Sequence, residues 1–309
     1  MIVTVTPNTG IDQTLIIPSF ELNRTIRTLE SHIGMGSKGA DVSWILGNWG
    51  ISSLATGFAA GAIGRQMEEM LIERGVQTDF VWVNGSTRWN TIILCADGSG
   101  QSTLTTSTLS VSDNHLSDFD QKLAAYLPRT TCLVLSGTTP KGVPLDFYPN
   151  WIRRAREMGI PVLFDSSEPF LRVGLEAGPY LVKPNQHELE ELCGEKAMTR
   201  QDIYRLARQL QEKYHVNLIA TTGKEGAFAL LDNKHYWIPA LEIKPVSTAG
   251  AGDAVVAGMA AAISRGESIE DGLRLAFALA SAMLLTAATG DFRREDALRF
   301  LEQVQLIRL

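Results

Sequence analysis

Residues 131–167 read TCLVLSGTTPKGVPLDFYPNWIRRAREMGIPVLFDSS, and the reading of this stretch decides the fold. Two short apolar runs, TCLVLSG and IPVLFDSS, flank residues 145–158, where apolar positions recur at helical spacing. The runs are continuous rather than alternating, as expected of strands buried on both faces. Such strands lie parallel only if a helix carries the chain back, so the stretch reads as a βαβ unit.

The same alternation extends outward in both directions. IVTVT at 2–6 reads as a buried strand, residues 39–49 as helix, ISSLATG at 51–57 as strand and residues 63–74 as helix. Further on, PYLVKPN at 179–185 precedes a helical segment at 188–193, and a helix over 204–214 leads into VNLIATTG at 216–223. The C-terminal third reads as mainly helical. The expected class is therefore α/β, with a mostly parallel sheet flanked by helices. Two stretches break the pattern. Residues 84–106 contain RWNTIILCADGSGQSTLTT, two strands joined by an ADGSG turn, and residues 13–33 read as extra strands or as a loop. No linker, repeat or low-complexity segment divides the chain, so one core over residues 1–309, with a small β lid drawn from about 13–33 and 84–106, is the economical organisation.

Composition narrows the function classes. The chain has 309 residues, 45% of them hydrophobic and 20% charged, which is enough for a substantial core. A net charge of −6 with no basic run argues against nucleic acid or an anionic membrane surface as a partner. The first residues carry no basic leader and the longest apolar stretches are short of a membrane span, so a cytoplasmic location is expected. Cys95, Cys132 and Cys193 are far apart, and the five histidines include no pair at i, i+4 spacing. Neither a disulfide framework nor a bound transition metal is expected.

Two glycine-rich segments carry the chemistry. GMGSKG at 34–39 matches GxGxxG formally, but the residues before it, TLESHI, are poor as a buried parallel strand. ISSLATG also lacks an acidic end for a ribose, so a dinucleotide site is disfavoured. No GxxxxGK[ST] is present. STAGAGDAVVAG at 247–258 differs in kind: Gly250 and Gly252 permit a tight turn, and the helix that follows aims free N–H groups into the space above it. Asp253 stands beside that anion-binding turn, where a carboxylate can take the proton of an attacking hydroxyl. Aspartate is also a favoured N-cap, and the two roles are compatible.

At this point the chain resembles the PfkB (ribokinase-like) family of carbohydrate kinases. The segments NTGID, GSKGADVSWIL, TRWN, LSGTTPKGVP, LVKPNQHELEEL, TTGKEGA and STAGAGDAVVAGMA occur in the family's order along essentially the whole chain. The resemblance implies a ribokinase-like three-layer fold with a β lid that often forms a dimer interface, and ATP with Mg²⁺ as cofactors. It implies that Asp253 is the general base and that Gly250, Ala251 and Gly252 form the anion hole. Asp12, Gly36, Lys38, Gly39, Asp41, Arg88 and Ser136 are implied at the substrate. Lys183, Asn185, Thr222, Gly223 and Gly226 are implied at the nucleotide, with Asn185 and Glu188 organising magnesium through water or phosphate.

Asp12 and TRWN look like the branch that phosphorylates sugars already bearing a phosphate, with the Arg88 guanidinium gripping that phosphate. Ser247 points the same way, since free-sugar kinases usually have aspartate there. This leads to the expectation of 1-phosphofructokinase activity, with tagatose-6-phosphate kinase or 6-phosphofructokinase as alternatives, and a noncatalytic sugar- or nucleotide-binding protein as the different-class alternative. Two departures bear on the substrate: Ser37 replaces a glycine, and Asp41 an asparagine that normally contacts the sugar. An ionised aspartate accepts but cannot donate, and adds negative charge near a phosphosugar.

Overall fold

Successive side chains of each central strand feed opposite cores. In the computed structural model, which describes residues 1–106 and 109–309, Leu133 and Leu135 of strand Cys132–Ser136 enter one apolar cluster, while Cys132 and Val134 enter another. The neighbouring strand Val162–Asp165 divides likewise, with Val162 and Phe164 on one side and Leu163 on the other. The continuous apolar runs of 131–167 thus reflect burial on both faces.

Among the described residues, ten strands form the main sheet, in the order Ile307–Arg308, Lys234–Pro239, Gly226–Leu231, Asn217–Thr221, Leu181–Val182, Val162–Asp165, Cys132–Ser136, Ile2–Thr6, Ser53–Ala59, Gln77–Trp82. From Asn217–Thr221 to Gln77–Trp82 every pairing is parallel, and the three remaining edge strands join through antiparallel pairings. Helices Lys38–Trp49, Ala251–Arg265, Ile269–Met283 and Arg294–Leu301 contribute to the core on one face. Helices Asp113–Tyr126, Phe147–Glu157, Phe170–Glu176, Gln186–Cys193 and Arg200–Tyr214 contribute to the other. This is the ribokinase-like three-layer arrangement.

The C-terminal third is less helical than the sequence pattern indicates. Strands Gly226–Leu231 and Lys234–Pro239 form a hairpin turning at Asp232, whose φ of 50° is in the left-handed region. The Asp-Asn pair at its tip is a hairpin signal that the helical reading passes over.

A second sheet stands beside the first, in the order Glu30–Met35, Gly10–Ile17, Arg88–Cys95, Gln101–Leu104. Its first strand begins at Gly10, within the NTGID segment, so Asp12 belongs to this sheet. Glu30–Met35 pairs antiparallel with Gly10–Ile17, which explains why TLESHI makes a poor buried parallel strand. No helix among the described residues is long and apolar enough to cross a membrane.

Candidate active site

Parallel strands deliver their loops to one end of the sheet, and the chemistry collects there. Asn8 follows Ile2–Thr6, Gly137 and Thr138 follow Cys132–Ser136, and Asp165 ends Val162–Asp165. Lys183 and Asn185 follow Leu181–Val182, and Thr222 follows Asn217–Thr221. The second sheet covers part of this end through Arg88, Asn90 and Ile92, which share a face because strand side chains alternate. Between the two sheets lies a cavity of about 290 Å³ whose wall includes Asp12, Lys38, Asp41, Arg88 and Asp253.

Asp12 is held from two sides. Its Oδ1 accepts from Asn90 Nδ2 at 2.8 Å and its Oδ2 from Thr289 Oγ1 at 3.0 Å. Burial nevertheless raises its pKa, against the pull of those hydrogen bonds and of Arg88. Asn90 is itself fixed, donating also to the Gly36 carbonyl at 3.1 Å and accepting from Thr105 Oγ1 at 2.8 Å. Gly36 is glycine because a Cβ there would collide with the Asp12 carboxylate. The Arg88 guanidinium is spent on neutral acceptors: the Asn8 carbonyl at 2.9 Å, the Thr9 carbonyl at 3.4 Å and Thr105 Oγ1 at 3.3 Å. Its positive charge thus has no carboxylate within ion-pair distance among the described residues.

A lysine–aspartate–lysine cluster closes the floor. Asp165, 1% exposed, accepts from Lys38 Nζ at 2.6 Å on one oxygen and faces Lys183 Nζ at 3.1 Å on the other. Burial disfavours its charge, but the two ammonium groups outweigh that and lower its pKa. Burial likewise works against the charge on Lys38, yet Asp165, Glu188 and Asp253 hold it protonated above its usual range. Glu188 Oε1 is 3.8 Å from Lys38 Nζ.

The 247–258 turn sits over this cluster. Gly250 is the N-cap of Ala251–Arg265, with φ 79°, and makes no side-chain capping bond. Asp253 is the third helical residue, so its expectation as the cap is corrected: the glycine turn closes the helix start by itself. Asp253 Oδ1 is buried with no hydrogen-bond partner among the described residues. Burial and the nearby Asp165 push its pKa up to about 7, against Lys38 and Lys183. A buried, unpartnered carboxyl titrating near neutrality is poised for proton transfer. Among the described residues, no hydrogen bond takes up the N–H groups of Ala251 and Gly252 beside it.

Across the turn lies a second cavity of about 560 Å³. Thr222, Gly223 and Gly226 line one side, and Leu241, Ile243 and Phe277 are among its apolar residues. Ala251 and Gly252 belong to this wall while Gly250 and Asp253 belong to the other cavity, so the turn is a partition between the two. Asn185 also lines the second cavity, and its side chain caps the Gln186–Cys193 helix by accepting from the Glu188 N–H at 2.9 Å. Glu188 Oε2 in turn accepts from the Asn185 N–H at 2.9 Å. The N-x-x-E segment is thus a capping box, which leaves Glu188 Oε1 turned toward Lys38.

Residues 11–295 match the family model described as pfkB family carbohydrate kinase. The chain belongs to this family. It is 30% identical to the 1-phosphofructokinase of Vibrio cholerae over 99% of this chain and 96% of that one. It is 29% identical to the tagatose-6-phosphate kinase of Staphylococcus epidermidis over 99% of each. A solved structure described as a possible 1-phosphofructokinase, from Thermotoga maritima, superposes with a TM-score of 0.90 at 26% identity, covering 100% of this chain and 99% of that one. The protein is accordingly a carbohydrate kinase, a phosphotransferase of an ATP-using family.

The kinase's two cavities gather most of the residues picked out from sequence; Lys183 and Glu188 stand instead in the charged cluster around Asp165 and Lys38, and Ser136 and Gly39 also line neither cavity. Ser136 is fully buried and donates to the Asp165 carbonyl at 3.1 Å, so its expected place at the substrate is corrected. The next residues, Gly137 and Thr138, line the cavity instead. Gly39 is also buried behind the wall, where a Cβ would crowd Val5 and Thr6, so it serves close packing of helix on strand. Asn90, Asp165 and Thr289 were missed. Asn90 is legible in TRWN as the residue two beyond Arg88 on the same strand face, and Asp165 as the carboxylate ending a buried strand. Thr289 comes from a loop with no local signal.

Proposed function

We propose that this kinase transfers the γ-phosphoryl group of ATP to a hydroxyl of a ketohexose phosphate, with fructose 1-phosphate the first candidate. The carrying observation is Arg88: a guanidinium facing the first cavity and bonded, among the described residues, only to neutral acceptors is matched to a substrate phosphate. The names of the similar kinases from Vibrio cholerae and Staphylococcus epidermidis support the same substrate class.

In this reading Asp12 and Asn90 hold sugar hydroxyls, and Asp253 faces the acceptor hydroxyl. As the new O–P bond forms and the bond to ADP breaks, Asp253 takes the hydroxyl proton. The N–H groups of Ala251 and Gly252, with Lys38 and Lys183, offset negative charge on the group in transfer. The adenine side of ATP fits the apolar second cavity, with Thr222, Gly223 and Gly226 at its edge. The donor set also fits magnesium: Glu188 Oε1 is left over by the capping box, and one carboxylate with substrate phosphates is a common way to hold this ion. Bound there, magnesium would neutralise charge on the phosphates. Residues 1–309 act as one catalytic unit, with the second sheet as lid. Exposed Ile33 and Leu104 on that sheet support a homodimer through it.

The test is an ADP-release assay across fructose 1-phosphate, fructose 6-phosphate, tagatose 6-phosphate and the unphosphorylated ketoses. Fructose 1-phosphate is expected to give the highest kcat/KM. A free ketose winning would overturn the reading of Arg88, and no ADP with any sugar would favour a noncatalytic binding protein.

A further inference from the structure

Asp41 lies in the first turn of the Lys38–Trp49 helix, is 4% exposed and lines the first cavity. Its Oδ1 is buried without a hydrogen-bond partner among the described residues. The lysine on the same helix offers it no ion pair, because Lys38 is turned to Asp165 and Glu188. The charged groups facing Asp41 are Asp253 from the Ala251–Arg265 helix, and Asp12 and Arg88 from the second sheet. Two of the three are carboxyls. Burial first, then Asp253 and Asp12, favour the neutral acid and raise its pKa well above the ordinary carboxylate range. The Ser37 N–H and Arg88 pull the other way without prevailing.

A buried, unpaired carboxylate is costly, whereas the neutral acid carries an O–H donor. Beside the cationic donors Arg88 and Lys38, this adds a neutral donor to the cavity wall. Asp12 and, when ionised, Asp253 are acceptors, and Asn90 already donates its amide to Asp12 and the Gly36 carbonyl. We propose that Asp41 reads the substrate as a neutral acid, donating its O–H to an acceptor oxygen of the bound phosphosugar, either a hydroxyl or a phosphate oxygen. This rests on the phosphosugar reading above. An aspartate at this position then meets the substrate as a donor and adds no negative charge, and phosphosugar affinity falls as rising pH ionises it.

The experiment measures phosphosugar KM against pH for the wild type, Asp41→Asn and Asp41→Ala, with ATP KM and a thermal melt as controls. Wild-type KM is expected to rise about tenfold or more from neutral into alkaline pH, while Asp41→Asn, whose amide donor does not ionise there, stays flatter. Asp41→Ala is expected to raise KM about tenfold already at neutral pH, with ATP KM unmoved. An infrared difference spectrum, wild type minus Asp41→Asn at neutral pH, should contain the C=O stretch of a protonated carboxyl. Superimposable KM profiles for the wild type and Asp41→Asn, or absence of that band, overturn the assignment to Asp41 alone. No turnover of any phosphosugar by the wild type overturns the functional reading, and this inference with it.

Discussion

The two cavities meet at one glycine turn and differ in almost every other respect. The first is walled by Asp12, Asp41, Asp253, Arg88 and Lys38, and its hydrogen bonds cross-link residues from distant parts of the chain, such as Thr289 to Asp12. The second is about twice as large, and much of its wall is apolar, with Leu241, Ile243, Val255, Phe277 and Leu284 among its residues. Directional polar groups can discriminate among hydroxyl and phosphate arrangements, because a mismatched ligand leaves a buried donor or acceptor unpaired. An apolar slot gives affinity for a flat ring with less discrimination. On the proposed function, specificity for the sugar belongs to the first cavity, and Asp253 stands on that side of the partition.

The sharpest way to break this comparison is to remove the proposed base, Asp253, at the partition. Asp253→Asn should lower kcat by about 10²–10⁴-fold while ATP and phosphosugar still bind, as read by steady-state kinetics and calorimetry. A near-normal kcat would remove Asp253 from the reaction. In the wild type, kcat/KM should climb as pH passes about 7, because the base must lose its proton. Stability should move in the opposite direction. The folded carboxyl keeps its proton up to about 7 while the unfolded one ionises near its ordinary value, so wild-type stability declines across that interval. Asp253→Asn escapes the decline and should be more stable at neutral pH by about 1–4 kcal/mol in denaturant melts.

Next in size is the test of the first cavity as a phosphosugar site. Arg88→Ala should raise phosphosugar KM by about 10- to 100-fold and leave ATP KM within a factor of about two. Equal losses for both substrates would mean that the second sheet merely needs Arg88 to hold the Asn8 and Thr9 carbonyls. The smallest effect is expected on the nucleotide side. A Cβ at Gly252 would lie 3.2 Å from Lys183 Nζ, the mobile end of a side chain that can yield. Gly252→Ala should therefore raise ATP KM only about two- to fivefold, with phosphosugar KM unmoved. A larger shift in phosphosugar KM would show that the partition is not a partition.

Legibility in the sequence follows the same division. The turn at 247–258 declares itself because every requirement is local: a glycine with positive φ, free helix N–H groups and a carboxyl three residues on. Lys183, Asn185 and Glu188 are legible through the family resemblance, and the capping box shows that the spacing of Asn185 and Glu188 also meets a purely local need. Asp165 is legible only as a carboxylate at a strand end, and Thr289 not at all, because their importance comes from what they meet: two lysines in one case, and Asp12 across 277 residues in the other. Ser136 marks the opposite error. Its segment does reach the end of the sheet where the cavity lies, but one step of strand geometry turns its hydroxyl to the Asp165 carbonyl and leaves the cavity to Gly137 and Thr138.

The sequence by itself determined the α/β class, the family resemblance and the glycine turn with its carboxylate. The class and the turn depend on periodicities and spacings within a few residues or a single βαβ unit, and the resemblance on motifs that follow the family's order along the chain. Only the tertiary structure decided that the pKa values of that carboxyl and of Asp41 are raised. Burial and the arrangement of Asp12, Asp165, Lys38 and Lys183 set those protonation equilibria, and these groups come together only when the loops of a parallel sheet converge beneath a second sheet.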